Sequence, residues 1–131
     1  MTLPAEVARL IETFERNRED YLHGRYSETQ LRREYLDPLF KALGWDVDNT
    51  QGYAEAYKDV IHEDAIRIGS ATKAPDYCFR IGGTRKFFVE AKAPTVNLKE
   101  NPEPAYQVRR YAWSAKLPLS ILTDFEQLSV Y

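Results

Sequence analysis

Two runs rich in aromatic and β-branched residues, Tyr77 to Ile81 and Phe87 to Ala91, flank Gly82-Gly83, and this commits the middle of the chain to a β-hairpin. Side chains alternate faces along a strand, so Glu90 and Lys92 share one face of the second strand and Ala91 takes the other. Register decides where Asp76 falls. If Ile81 pairs with Thr84 across a two-residue turn, Asp76 lies opposite Val89 and on the wrong face. If Ile81 pairs with Arg85, Asp76 lies opposite Glu90. An odd-membered loop or a glycine bulge at Gly82-Gly83 is therefore expected, because one residue of slip moves every side chain to the other face.

Two carboxylates held side by side repel each other, and a hard divalent cation with oxygen ligands, Mg2+ with Mn2+ as its substitute, is expected to relieve that repulsion and keep water positions open. Such an ion acts as a Lewis acid on a phosphodiester and lowers the pKa of a bound water. Asp76 and Glu90 are the expected metal ligands, the Ala91 carbonyl between Glu90 and Lys92 is a natural third, and Lys92 is placed to orient the water and offset developing charge. The plainer alternative is a Glu-X-Lys pair on a solvated strand. The apolar run Phe87-Phe88-Val89 argues against it, since charges interrupting a buried strand are costly without a partner.

Pro75-Asp76 and Glu90-Ala91-Lys92, with thirteen residues between Asp76 and Glu90, resemble the core motif of the PD-(D/E)XK nuclease superfamily. The likeness is greatest to the N-terminal nuclease domains of type I and fused type II restriction-modification enzymes. Gln107-Val108-Arg109-Arg110-Tyr111 resembles the Gln-X-X-X-Tyr element that follows the catalytic hairpin there. Glu34, in the run from Leu31 to Trp45, resembles the helical glutamate that precedes it, and residues 121–126 resemble the strand and turn beyond. The resemblance covers residues 27–131. It implies a restriction-endonuclease-like α/β core, a mixed β-sheet flanked by helices, and a Mg2+-dependent endodeoxyribonuclease with Asp76, Glu90 and Lys92 as catalytic residues. It adds Glu34 near the metal. The implied partners are double-stranded DNA, a methyltransferase, specificity or motor domain in the full-length protein or complex, and a second nuclease copy for double-strand breaks.

Gln107 and Tyr111 are four apart, so on a helix they share a face where amide and phenol can reach nucleic acid. The competing reading packs Tyr111 on the sheet and leaves Gln107 in solvent. Arg110 and Lys73 are further candidates for phosphate contact. Net charge is −2, yet residues 80–116 hold eight Lys and Arg against three Asp and Glu, a local +5 that leaves −7 elsewhere. A phosphate-facing surface fits that segment.

At 131 residues, 44% hydrophobic and 13% aromatic, the chain supports one sizeable core and excludes disorder. No apolar run approaches the ~20 residues of a membrane span, and the stretch from Met1 to Glu6 lacks a secretory pattern, so a cytoplasmic location is expected. Cys78 stands alone inside a strand as a small core residue, and the isolated His23 and His62 imply no zinc site. No nucleotide-binding glycine loop or methyl-donor motif is present, and a last strand ending at Tyr131 suggests one nuclease domain from the N-terminal part of a larger protein.

The remaining elements follow from periodicity and punctuation. A helix from about Pro4 to Tyr21 carries Val7, Leu10, Ile11 and Phe14 on one stripe. A second opens at the Ser27-Glu28-Thr29-Gln30 capping box and runs to Leu43, kinked at Pro38 and stopped at Gly44. Trp45 to Thr50 is expected to be a strand, with another at Asp59 to Ile61. Pro94 to Pro102 is a linker, a helix runs on to Ala115, and strands follow at Pro118 to Thr123 and Phe125 to Tyr131. Two other functions fit this pattern: a catalytically silent DNA-binding module with the nuclease fold, and a structural assembly domain. An RNA nuclease is a variant within the enzyme class.

Overall fold

A computed structural model describes residues 3–131; Met1 and Thr2, part of the stretch expected to lack a secretory signal, lie outside them. A five-stranded mixed sheet in the order β1-β4-β5-β6-β7 forms the centre, flanked by helices. Its strands are β1 (Val60–His62), β4 (Tyr77–Ile81), β5 (Thr84–Ala91), β6 (Leu119–Thr123) and β7 (Leu128–Val130). All pairs are antiparallel except β5 with β6, which helix α4 (Glu103–Ser114) joins by a crossover. This is the expected class, a mixed α/β sheet consistent with a restriction-endonuclease-like fold. No helix among the described residues is long and apolar enough to cross a membrane.

Strand alternation divides the core into two layers. Tyr77, Phe79, Val89 and Ala91 point to one face, where they meet Phe14 of α1 (Ala5–His23), Leu31 of α2 (Glu28–Leu31) and Phe40 of α3 (Asp37–Ala42). Cys78 and Phe88 point to the other, where Tyr111 and Ala112 of α4 cover them together with Ile66 of β2 (Ile66–Ile68). Helix α1 begins and ends within two residues of expectation and buries Val7 and Phe14, but Ile11 lies outside its buried stripe.

The hairpin reaches the expected alignment by another route. Gly82 and Gly83 have φ of +58° and +81°, the left-handed pair that a two-residue turn needs, and Ile81 pairs with Thr84. The register shift comes instead between Phe79 and Arg80, where Arg80 faces Arg85 but Phe79 already faces Phe87. One extra residue on β5 is absorbed there, Tyr77 faces Val89, and Asp76 is carried to the level of Glu90. The expectation of an irregularity at the glycines is thus corrected in position, while its consequence holds.

Residues 45–50 form turns, not the expected strand. The Asp46 carboxylate accepts the backbone N–H groups of Thr50 at 2.7 Å and Gln51 at 3.1 Å, and Asn49 sits at φ +56°. An aspartate that gathers amides four and five residues ahead turns the chain back before a ladder can form. The acidic stretch also holds an unanticipated hairpin, β2 with β3 (Ala71–Lys73), outside the main sheet.

The Ser27–Gln30 capping box is formed on both sides. The helix it opens does not run regularly to Pro38: residues Arg32–Leu36 widen into a π turn between α2 and α3. Proline has no N–H and crowds the carbonyl of the preceding turn, and the wider turn accommodates it. The extra residue per turn also changes the phase between α2 and α3.

Candidate active site

The open end of the hairpin is closed by side chains. The Asp76 backbone N–H donates to Glu90 Oε1 at 2.9 Å, and Asp76 Oδ2 accepts the Ala91 backbone N–H at 2.8 Å. Each carboxylate thus serves as an acceptor for the other strand, one step past the last backbone rung. A strand residue's N–H and C=O leave on the same edge, so the Ala91 carbonyl also faces the Asp76 side.

Glu90 is 6% exposed. Burial pushes its carboxyl up to about 8, with the nearby Asp76 charge adding to the effect and Lys92 opposing it. Lys92 follows β5 on the same face, its backbone N–H held by the Thr123 carbonyl at 3.0 Å. The cluster lies at the carboxyl ends of the parallel pair β5 and β6, the edge where open α/β sheets bind ligands.

Arg32, which sequence reasoning passed over, reaches Asp76 from the π turn. Its Nη2 donates to the Asp76 carbonyl at 3.2 Å, its Nη1 lies 3.5 Å from Asp76 Oδ1, and the guanidinium stands 5.1 Å from the centroid of the Tyr77 ring. Glu28 stands one helical turn earlier, on the same face. Burial raises its carboxyl above the usual range, with Asp76 adding and Lys92 and Arg32 opposing. The signal for both was in the capping box, since Ser27 fixes where the helix starts and hence that positions 28 and 32 look the same way.

Glu34, expected near a metal, does not join this group. Its carboxylate accepts the Tyr26 hydroxyl at 3.1 Å and borders a separate depression with Tyr35 and Lys41. Six positions on from Glu28, across the π turn, it looks toward α1.

A cleft of about 520 Å3 opens beside the pair, lined by Glu28, Lys73, Lys92, Gln107, Arg110 and Tyr111 among others. Gln107, Tyr111, Arg110 and Lys73, the residues expected to face nucleic acid, all border it, with Tyr111 otherwise buried. Tyr111 is 5% exposed and packs in the second core layer, and its hydroxyl accepts Gln107 Nε2 at 2.6 Å. The β2–β3 hairpin supplies the wall that carries Lys73. Cys78 is buried, and burial pushes its thiol up to about 12, so it serves packing and not nucleophilic chemistry.

The donors at the pair are hard oxygens, from Asp76, Glu90 and the Ala91 carbonyl, and a buried carboxylate beside a half-buried one suits a small divalent cation. No three His, Cys, Asp or Glu side chains converge on one point among the described residues.

Arg32→Met is expected to destabilise the metal-free protein by about 2–4 kcal/mol, because it strips a half-buried carboxylate and its carbonyl of their cation. Arg32→Lys should restore only part of this, since one ammonium cannot match the two-pronged contact. Urea denaturation in chelator measures both.

No family model matches the chain, and no solved structure matches it. Over 128 residues it is 44% identical to the Type II restriction enzyme and methyltransferase RM.Eco57I of Escherichia coli, an alignment that takes in 96% of this chain and 13% of that protein. The chain therefore spans about an eighth of its relative's length and is related to part of a restriction-modification enzyme.

Proposed function

We propose that this chain is the DNA-cleavage module of a restriction-modification enzyme, a Mg2+-dependent endonuclease domain of the PD-(D/E)XK kind. The observation that carries this reading is the mutual clasp of Asp76 and Glu90, with Lys92 on the same face and bordering a cleft that Lys73 and Arg110 also line. The relative's name supports the restriction-modification setting.

Asp76, Glu90 and the Ala91 carbonyl would hold the cation, with Glu28 behind them. When bound, the ion supplies Lewis acidity to the scissile phosphate and acidifies water. Lys92 orients the attacking water and faces the charge that grows on the phosphoryl oxygens. The P–O bond to the leaving sugar breaks as the new one to water oxygen forms. Lys73 and Arg110 hold flanking phosphates, while Gln107, tied to the fixed Tyr111 hydroxyl, keeps the cleft wall in shape. One such site cuts one strand, so a double-strand break takes two copies. A methyltransferase domain would share the full-length protein or complex and supply protection of the host's own sites.

Supercoiled plasmid incubated with Mg2+ or Mn2+ tests the proposal. Wild type is expected to nick it, chelator to stop the reaction, and Lys92→Ala to slow it by about 10²-fold or more. Metal-dependent nicking that survives Lys92→Ala would overturn the assignment of Lys92. No nicking by a protein that binds Mg2+ calorimetrically would indicate a silent module instead.

A further inference from the structure

Helix α4 buries Pro104, Val108, Tyr111 and Ala112 and turns another face outward. That face carries Tyr106, Arg109, Arg110 and Trp113, spaced three and four apart, so they form one stripe. Tyr106 is 64% exposed and Trp113 85%, the highest value among the exposed large hydrophobics. The stripe starts at the cleft rim, which Tyr106 and Arg110 both line, and leads away from it to Trp113. Its aromatic ends are about 10 Å apart along the helix axis.

The charges favour one kind of occupant. Arg109, Arg110, Lys73 and Lys92 form no ion pair among the described residues, whereas Arg18, Arg32 and Arg85 each do. Arg109 already lies 5.6 Å from the centroid of the Tyr131 ring, but an apolar protein surface seated on Trp113 would desolvate Arg110 without compensating it. A nucleic-acid strand offers phosphates to the guanidinium groups and flat π faces to the rings. Rings standing on a helix can stack only on bases whose faces are open.

We propose that Tyr106, Arg110 and Trp113 form a stacking track for unpaired bases of the DNA strand that occupies the adjoining cleft. The inference rests on the cleft being a DNA site and not on its cutting. Arg110 sits between the two rings and pairs with the phosphate that links the stacked bases.

The chain has two tryptophans, and Trp45 is partly buried with its ring 4.9 Å from Phe79, so Trp113 is the one open to quenching. The test is titration with a short oligothymidylate in chelator at low salt, read by tryptophan emission and by anisotropy of a labelled strand. Emission of the wild type should fall on binding. Trp113→Ala should weaken affinity by about 5- to 150-fold with unchanged melting, and Trp113→Phe should keep most of it. A fully paired hairpin duplex should not quench. Equal affinity of wild type and Trp113→Ala, quenching by the duplex alone, or no binding of the oligonucleotide overturns the proposal. So does a self-associating protein whose Trp113 emission is already shielded without DNA. Since chelator prevents cutting, plasmid nicking without quenching sinks the track and spares the nuclease, whereas quenching without nicking does the reverse.

Discussion

Glu90→Gln is expected to abolish DNA cleavage, by on the order of 10³-fold, and at the same time to make the metal-free protein more stable at pH 8. The amide keeps the carbonyl oxygen that accepts the Asp76 N–H at 2.9 Å, and its NH2 has the Asp76 carboxylate beside it as acceptor. What it removes is a negative charge that is buried next to another. The Glu90 carboxyl rises from 4.5 to about 8 on folding, so between those values the folded chain holds a proton that the unfolded chain has released. Its contribution is therefore fully present below pH 4.5 and lost as pH climbs through 8. At pH 8 the substitution should return on the order of 4 kcal/mol, and near pH 4.5 almost nothing. A divalent cation reverses the slope in the wild type, since it competes with that proton and binds more tightly as pH rises. Urea midpoints of both proteins at two pH values, with and without Mg2+, check all three statements. Equal midpoints at pH 8 in chelator would mean that no buried charge resides on Glu90.

Phe79→Ala is expected to have the largest effect on folding, a loss of about 3–5 kcal/mol and a fall in Tm of roughly 10–20 °C. Phe79 is fully buried, with the rings of Phe40, Trp45 and Phe87 at 4.7, 4.9 and 4.8 Å between centroids. These come from α3, the 45–50 turn and β5, so no single element can close over the hole. A domain of this size has about 5–15 kcal/mol in total, and the variant would sit near its margin. Phe79→Leu should cost much less, because most of the volume remains. Scanning calorimetry of the two variants in parallel gives the comparison.

The parts of the fold that were legible in the sequence are those with local causes. The hairpin followed from period-2 composition around paired glycines, and the division of Glu90 and Lys92 from Ala91 followed from the pleat. The position of the bulge did not, because Gly82 and Gly83 satisfy a two-residue turn by themselves and push the extra residue into the strand, where long-range packing of Phe79 on Phe87 sets it. The 45–50 segment misled because apolar Trp45 and Val47 alternate like a strand, while a single aspartate overrode the pattern. Around the candidate site, the grouping of Asp76, Glu90 and Lys92 at one end of the hairpin could be read in advance, but the approach of Glu28 and Arg32 from the helix could not. Counting along an ideal helix fails at the π turn, and the choice between Glu28 and Glu34 depends on the start of α2, not on the company each keeps. The β2–β3 hairpin left only Ile66, Ile68 and Gly69 as its signal, too short a run to separate from the loop around it.

The clasp between Asp76 and Glu90 makes the edge of the sheet and the candidate site one object. Any ligand that draws the two carboxylates toward itself also loosens the amides of Asp76 and Ala91, and any fraying of the strand ends scatters the donors. Those two amide protons are thus reporters of site assembly that need no substrate and no turnover, and their exchange with solvent reads out readiness to bind.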